Sequence, residues 1–242
     1  MKRRFVRYRN YSYLYGRIIE SAQVERAVPD LHRLLSRKEQ PEPLSGDTAY
    51  VKTHFILSPE HPLRAFTGRC IYVLRNPRDE LLSNARYFQM HATGPFDEEL
   101  FVRSFIDNLG AQAWKQRNMG TWPQHAGSWL AASSAVPVLF IRFEDMRTDT
   151  AGTLERIVNF LELPFDRERV ARAVAGCSLE EMARLEDKDK IAPGPSAFAG
   201  LASDKRFIGT GGMNQDLAQR YGSGIAALFD DRFGQYMRLF GY

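Results

Sequence analysis

The chain has 242 residues, of which 44% are hydrophobic and 26% are charged, as is typical of one globular domain of ordinary size. Two cysteines, Cys70 and Cys177, argue against a disulfide framework or a zinc cluster, so we expect no metal site. No apolar stretch reaches the roughly 18 residues of a membrane span, and the N-terminus lacks the apolar core of a signal peptide. We therefore expect a cytoplasmic protein with no membrane span.

The first residues are basic although the net charge of the whole chain is only +4. Six cations precede the first acidic residue, Glu20, and tyrosines lie between them. Such a run can bind nucleic acid, but it is more often a solvated surface, and the remaining chain mixes both signs of charge. We do not expect a nucleic-acid partner. Fragments of an apolar stripe predict a helical segment over residues 1–48, within a single domain that continues to residue 242.

Ala49 to Thr53 is predicted to be a short strand, and it runs into Lys52-Thr53-His54. Side chains at the carboxyl end of a strand point into the ligand-binding crevice of an open α/β sheet. A neutral imidazole in that position is suited to take a proton from a hydroxyl. The alternative is a histidine that only caps a loop, which is the more frequent role of a single His.

The stretch from Cys70 to Phe88 predicts a strand, a tight turn and a helix. Cys70 to Leu74 is apolar without alternation, as expected of a parallel strand covered on both faces. Asn76 suits an N-cap, Pro77 suits the first helical position, and Asp79 falls in the first turn, where the helix dipole favours an anion. The helix is therefore predicted to begin at residue 77.

Arg75 is a cation between this strand and this helix, where backbone N–H groups already favour an anion. A guanidinium adds a fork that matches phosphate, and the hydroxyl of Ser83 lies about two turns into the helix. The alternative is that Arg75 forms an ion pair with Asp79 or Glu80 and that Ser83 is an ordinary surface residue.

Further elements follow at regular intervals. We predict a helix over 97–109, a strand over 136–143, helices over 152–163, 170–175 and 178–185, a polar loop over 187–204 and a C-terminal helical region from Leu217. Between the last two lies Gly209-Thr210-Gly211-Gly212, and a glycine-rich loop can bring backbone N–H groups to a phosphate. Glu144 and Asp145 follow the second strand, and flanking arginines favour a structural role for both.

The segment Arg75-Asn76-Pro77-Arg78-Asp79 with Ser83 resembles the 3′-phosphate-binding segment of sulfotransferases that use 3′-phosphoadenosine 5′-phosphosulfate (PAPS). Lys52-Thr53-His54 and the C-terminal Phe240-Gly241-Tyr242 are also similar to that family, so the resemblance covers residues 49–242. It implies an α/β fold, a P-loop-NTPase-like parallel sheet flanked by helices. It also implies PAPS as co-substrate, with no metal.

The resemblance also implies site residues. His54 would be the general base and Lys52 its electrostatic partner, while Arg75 and Ser83 would hold the 3′-phosphate. Ser178 falls in a segment similar to the one that meets the adenine, and Gly211 matches the last residue of a family Arg-Lys-Gly segment. The acceptor would be a hydroxyl of a small molecule, and the sequence looks closest to bacterial enzymes that modify natural products. A homodimer is a possible assembly.

One expected feature is missing from the sequence. The family's fold begins with a strand and a phosphate loop that hold the 5′-phosphosulfate, and no Gly-x-x-x-x-Gly-Lys or Lys-Ser-Gly-Thr segment precedes Lys52. The fold is therefore expected to lack its first strand and phosphate loop. The sequence predicts a PAPS-dependent sulfotransferase; the alternative is a truncated or catalytically impaired relative that binds a nucleotide or a partner protein.

Overall fold

The computed structural model describes residues 48–191, 206–209 and 212–242, together with five short stretches earlier in the chain (13–14, 17–18, 28, 30–31 and 34–35). The chain divides into two compact units. The first comprises Met1–His54 and Ala171–Ile208, and the second comprises Phe55–Val170 and Gly209–Tyr242. The single domain expected from the sequence stays a prediction.

In the first unit, β1 (Tyr13–Leu14) and β2 (Arg17–Ile18) pair antiparallel, with Tyr13 opposite Ile18. This pairing differs from the helical segment predicted over residues 1–48. Aromatic and β-branched residues such as Tyr13 and Ile18 favour an extended backbone, which explains the difference at these positions. The rest of the basic N-terminal run lies outside the described residues.

The strand predicted over Ala49 to Thr53 is reduced to one parallel bridge between Asp30 and Lys52. The backbone N–H of Leu31 donates to the carbonyl of Lys52 at 2.8 Å. A strand is extended by continued pairing with a neighbour, and the described pairing here covers one residue on each side. The prediction of a regular strand was therefore wrong, although the one bridged residue, Lys52, lies within the predicted range.

Also in the first unit, α8 (Leu179–Ile191) continues beyond the point where a polar loop was predicted to start. Glu186 and Lys190, four residues apart, form an ion pair at 2.8 Å in this last part of the helix. Such pairs stabilise a helix, so Asp187 to Ile191 are helical and the predicted loop start was wrong. Residues 192–205 lie outside the described part.

The second unit is built on two parallel strands, β3 (Cys70–Leu74) and β4 (Val138–Arg142), which pair from Cys70 opposite Val138 to Leu74 opposite Arg142. Both strands were predicted. Tyr72 and Leu74 are buried in the core, but 52% of Val73 is exposed. The expectation that both faces of β3 are covered is thus met on one face only, because the described helices do not cover Val73.

Helices surround these strands in the second unit. Their bounds in chain order are α1 (Pro77–His91), α2 (Glu98–Asp107), α3 (Gln112–Lys115), α4 (Trp122–Ala132), α5 (Phe143–Thr148), α6 (Thr150–Phe160), α9 (Leu217–Tyr221) and α10 (Ser223–Leu239). The boundary between the units falls within α7 (Arg167–Gly176). Within the described residues, no helix is both long and apolar enough to cross a bilayer.

Local signals explain where these helices begin. Asn76 caps α1 by accepting the N–H of Arg78, and Pro77 occupies its first position, as predicted. Thr121 and Gln124 form a reciprocal capping box at the start of α4. Each cap satisfies backbone N–H groups that the helix itself leaves open, so these starts are determined by a few adjacent residues.

The core of the second unit lies between β3, β4 and the helices α1, α2, α4 and α10. Its centre is aromatic: the rings of Phe229 and Phe233 stack at 4.4 Å, and Phe105 stacks on Phe233 at 6.0 Å. All three side chains are fully buried. This core fixes the direction of β3 and α1 and therefore the position of the turn between them.

Candidate functional site

In the first unit, Lys52 and His54 both face the carboxylate of Asp30. The Nε2 atom of His54 lies 3.6 Å from Asp30 Oδ2, and the Nζ atom of Lys52 lies 4.0 Å from the same oxygen. The side chains of Lys52 and His54 are roughly half exposed, whereas Asp30 is 5% exposed. The structure thus brings together the two residues predicted for catalysis around a buried acid.

Asp30 was not identified from the sequence. It precedes Lys52 by more than twenty residues, and no local motif links the two, so only the bridge between their backbones reveals the contact. A buried carboxylate next to an imidazole stabilises the imidazolium that forms when the histidine takes a proton. The arrangement is therefore suited to general base chemistry at His54.

In the second unit, Arg75 lies at the carboxyl end of β3, directly before the N-cap of α1. Its Nη2 donates to the carbonyl of Gly212 at 2.8 Å, and its Cζ lies 4.5 Å from the centre of the Phe143 ring. Its Nε is buried and has no hydrogen-bond partner among the described residues. A buried donor without a partner costs free energy, so this atom is available to an anion.

The alternative of an ion pair between Arg75 and Asp79 does not hold. Asp79 is fully buried, and its two carboxylate oxygens accept the backbone N–H groups of Asn214 at 2.9 Å and Gln215 at 3.0 Å. Asp79 therefore bonds the segment that follows Gly212. The sequence indicated only a residue that complements the helix dipole, because its partners lie 135 residues away.

Glu80, the next residue, lies near the guanidinium of Arg75. Burial raises the pKa of the Glu80 carboxyl to about 7, although the Arg75 charge and a hydrogen bond from the Trp122 indole both lower it. Of the two acids considered as ion-pair partners of Arg75, Glu80 is thus the one that interacts with it electrostatically. Near neutral pH a substantial fraction of Glu80 is protonated, which leaves the Arg75 charge incompletely neutralised.

Glu144 supports the same turn. Its Oε1 accepts the backbone N–H of Asn76 at 2.9 Å, and its Oε2 accepts the hydroxyl of Tyr242 at 3.0 Å. Burial and the charge of Glu144 raise the pKa of Tyr242, so this hydroxyl remains a donor. The predicted structural role of Glu144 fits these contacts, which are hydrogen bonds to a backbone N–H and a hydroxyl rather than ion pairs with the flanking arginines.

The other predicted binding residues lie in different places. Ser83 is exposed on α1, in the second unit. Ser178 belongs to the first unit, where its Oγ accepts the N–H of Glu181 at 3.2 Å at the start of α8. Gly211 lies outside the described residues. The roles predicted for these three residues stay predictions.

Glu186 is a buried acid of the first unit that binds the backbone of the two residues before Gly209. Glu186 accepts the backbone N–H groups of Phe207 and Ile208, each at 2.7 Å. Burial alone would raise the pKa of Glu186, but the Lys190 ammonium and these two N–H groups lower it. Glu186 is therefore an anion that holds the chain just before Gly209, a contact that the sequence did not indicate.

Comparison with known proteins identifies the family. The family model described as "Sulfotransferase domain" matches residues 18–213. Since this match spans most of the chain, the chain belongs to the sulfotransferase family. The match starts well before residue 49, where the motif resemblance was placed.

Human sulfotransferase 1E1 is 32% identical over 139 residues, which are 54% of this chain and 44% of that protein. Human sulfotransferase 2B1 is 28% identical over 136 residues, which are 52% of this chain and 35% of that protein. The chain thus spans about a third to a half of the length of these curated relatives.

Solved structures show the same fold. Mouse sulfotransferase SULT7A1, complexed with PAP, superposes with a TM-score of 0.58 at 21% identity, over 78% of this chain and 65% of that one. Retinol dehydratase, in complex with androsterone and the inactive cofactor PAP, gives a TM-score of 0.58 at 20% identity, over 90% of this chain and 66% of that one. The α/β sulfotransferase fold predicted from the sequence is confirmed.

Proposed function

We propose that this protein is a PAPS-dependent sulfotransferase that transfers the sulfonate group to a hydroxyl of a small-molecule acceptor. The observation that carries the proposal is Arg75, a guanidinium with a buried and unbonded Nε among the described residues, at the carboxyl end of a parallel strand and before a helix N-terminus. That combination suits the 3′-phosphate of a nucleotide. The names of two structural neighbours record bound PAP, which supports the same ligand here.

The proposed reaction is an in-line transfer. His54 takes the proton of the acceptor hydroxyl, the oxygen forms a bond to sulfur, and the bond from sulfur to the 5′-phosphate oxygen breaks to release PAP. Asp30, 3.6 Å from His54, stabilises the imidazolium, and Lys52 stabilises negative charge near the sulfonyl group. Positioning and electrostatics supply most of the acceleration in reactions of this type.

Several finer predictions belong to this proposal. Ser83 and Gly211 would help to bind the 3′-phosphate and Ser178 would contact the adenine, without a metal ion. A natural-product acceptor of a bacterial type, a cytoplasmic location and a homodimer remain predictions from the sequence. The lack of a phosphate loop concerns residues that lie mostly outside the described part, and it too remains a prediction.

The test is a calorimetric titration of the 242-residue chain with PAP. Saturable binding is expected, and Arg75→Ala should weaken it by about 10- to 100-fold, the effect of losing charge-assisted hydrogen bonds. Arg69→Ala is a matched control, because Arg69 precedes β3 and pairs with Glu162 instead. A folded wild-type chain that does not bind PAP would contradict the proposal.

A transfer assay then separates the two candidate functions. His54→Ala should abolish sulfonate transfer from PAPS to a phenolic acceptor while PAP binding is retained. If the wild-type chain binds PAP but transfers no sulfonate to any of a panel of phenols and alcohols, the alternative function is favoured: a catalytically impaired relative that binds a nucleotide.

A further inference from the structure

The segment Gly212–Gln215 directly follows Gly211 and is held by the turn at the end of β3. Arg75 donates to the carbonyl of Gly212 at 2.8 Å. Asp79 accepts the N–H of Asn214 with one oxygen and the N–H of Gln215 with the other, at 2.9 Å and 3.0 Å. Two residues, four positions apart on the strand–turn–helix, thus fix both ends of a four-residue segment.

This segment does not adopt its conformation without cost. Asn214 has a φ of 55°, in the left-handed region that non-glycine residues rarely occupy. Asp79 is 0% exposed, and a buried carboxylate is tolerated only when its oxygens are bonded. The two N–H groups satisfy the carboxylate and stabilise the left-handed turn at the same time, so the two features depend on each other.

We infer that Asp79 is a positioning residue for the 3′-phosphate: it fixes segment 212–215, which in turn orients the Arg75 guanidinium toward the nucleotide. Direct contact between Asp79 and a phosphate is excluded by charge, and both of its oxygens already bond backbone N–H groups. Asp79 affects the ligand indirectly, through the carbonyl of Gly212. This carbonyl accepts Nη2 of Arg75 and leaves Nε of Arg75 to bind the anion. The inference rests on the proposed function.

If Asp79 has this role, its loss should weaken the binding of a nucleotide with a 3′-phosphate more than the binding of one without it. Asp79→Asn keeps the size of the side chain, but its NH2 group cannot accept an N–H, so at least one of the two bonds is lost. Segment 212–215 then loses its fixed position, and Arg75 loses its partner. We expect the affinity for PAP to fall about tenfold or more, as for a lost charge-assisted hydrogen bond, and that for adenosine 5′-monophosphate to stay unchanged.

Asp216→Asn is the matched control. Asp216 is the residue after Gln215, it is exposed, and its Oδ1 also accepts two backbone N–H groups, those of Ala218 at 2.8 Å and Gln219 at 3.2 Å. Loss of this cap destabilises α9 without affecting Gly212. The Asp216→Asn chain should therefore keep the wild-type ratio of affinities for the two nucleotides.

The outcomes separate this inference from the proposed function. If the wild type binds PAP no better than adenosine 5′-monophosphate, the 3′-phosphate site itself is refuted. If the wild type discriminates and Asp79→Asn discriminates equally well, the positioning role is overturned. Should Asp79→Asn not fold, hydrogen exchange of the wild type decides: PAP should slow exchange at Asn214 and Gln215 more than adenosine 5′-monophosphate does, and equal rates would overturn the inference.

Discussion

Glu80 lies in the first turn of α1, and its surroundings favour the neutral form of its carboxyl group. Burial raises the pKa of Glu80 to about 7 against the influence of Arg75 and Trp122. Burial, and to a smaller extent the Glu80 charge, also raise the pKa of the Tyr72 phenol. The groups that interact with Glu80 are the Arg75 guanidinium directly after β3, the Tyr72 phenol on β3 and the Trp122 indole on α4. The Arg75 guanidinium and the Trp122 indole stabilise the Glu80 charge, but burial destabilises it by more.

The raised pKa predicts a pH dependence of stability. The unfolded carboxyl loses its proton near pH 4.5 and the folded one near pH 7, so the folded state binds more protons in between and stability falls as pH rises through this window. Glu80→Gln should abolish the part of this loss of stability that comes from the Glu80 carboxyl. Relative to the wild type, the unfolding free energy of this variant should be higher at pH 8 than at pH 5 by about 2 kcal/mol, measured by urea unfolding.

Glu99→Gln provides the control for this comparison. Glu99 lies on α2, where it is exposed and pairs with Arg103 four residues away. Such a pair contributes only a few tenths of a kcal/mol, so the variant should follow the wild type at both pH values. If Glu80→Gln also follows the wild type, the burial of an acid at this position does not limit stability.

Single residues could be predicted from the sequence when their chemistry came with a local signal. Arg75 was singled out because a strand and a helix cap flank it, and His54 because it follows the carboxyl end of a predicted strand. Asp30, Asp79 and Glu186 gave no such signal: their partners are distant in sequence or are backbone N–H groups, which no side-chain pattern reveals. Contacts of this kind become visible only in the fold.

At the scale of elements, Gly120 sets the start of α4. Its φ is +71°, and an added Cβ would lie 2.8 Å from the Ile56 side chain. Gly120→Ala therefore combines backbone strain with a clash, and we expect a loss of about 1–3 kcal/mol in unfolding free energy. Thermal and urea unfolding measure this loss.

Gly127 is the opposite case within the same helix. An added Cβ there would meet no atom within 4 Å, and the residue lies in the middle of α4 (Trp122–Ala132). Gly127→Ala should stabilise the protein by about 0.5–1 kcal/mol, because alanine loses less entropy in a helix. If both variants lose equal stability, the special conformation of Gly120 is not what matters.

Helix starts were predicted closely where a local cap sets them. The caps at Asn76, Asp97 and Asp149 each involve residues adjacent in the chain, so the starts of α1, α2 and α6 fall within two residues of the predictions. Pairing is different, because a strand needs a neighbour from elsewhere. The stretch before His54 was predicted as a strand but forms a single bridge, since its described partner is only Asp30.

At the scale of the whole molecule, the question is whether the two compact units unfold together. A single sulfotransferase-like domain predicts that they do, since small domains unfold in one cooperative transition. The chain offers one spectroscopic probe for each unit. All three tryptophans, Trp114, Trp122 and Trp129, lie in the second unit, and the exposed thiol of Cys177 lies in the first.

Selective labelling of Cys177 is feasible because of the other cysteine. Burial raises the pKa of the Cys70 thiol to about 12, so Cys70 holds almost no thiolate at pH 7.5 and reacts slowly. A thiol-reactive dye should therefore attach at Cys177, and Cys177→Ser should abolish the uptake of dye. The dye then reports the first unit, and tryptophan fluorescence reports the second.

We expect the two signals to give one urea midpoint, and PAP at about 100 times its dissociation constant to raise both by the equivalent of about 2.7 kcal/mol. A ligand bound to either unit stabilises the other only if the two unfold as one cooperative system. Coincident shifts would therefore support the single domain. If PAP moves the tryptophan midpoint and leaves the Cys177 midpoint in place, the two units unfold independently, and the prediction of a single domain is contradicted.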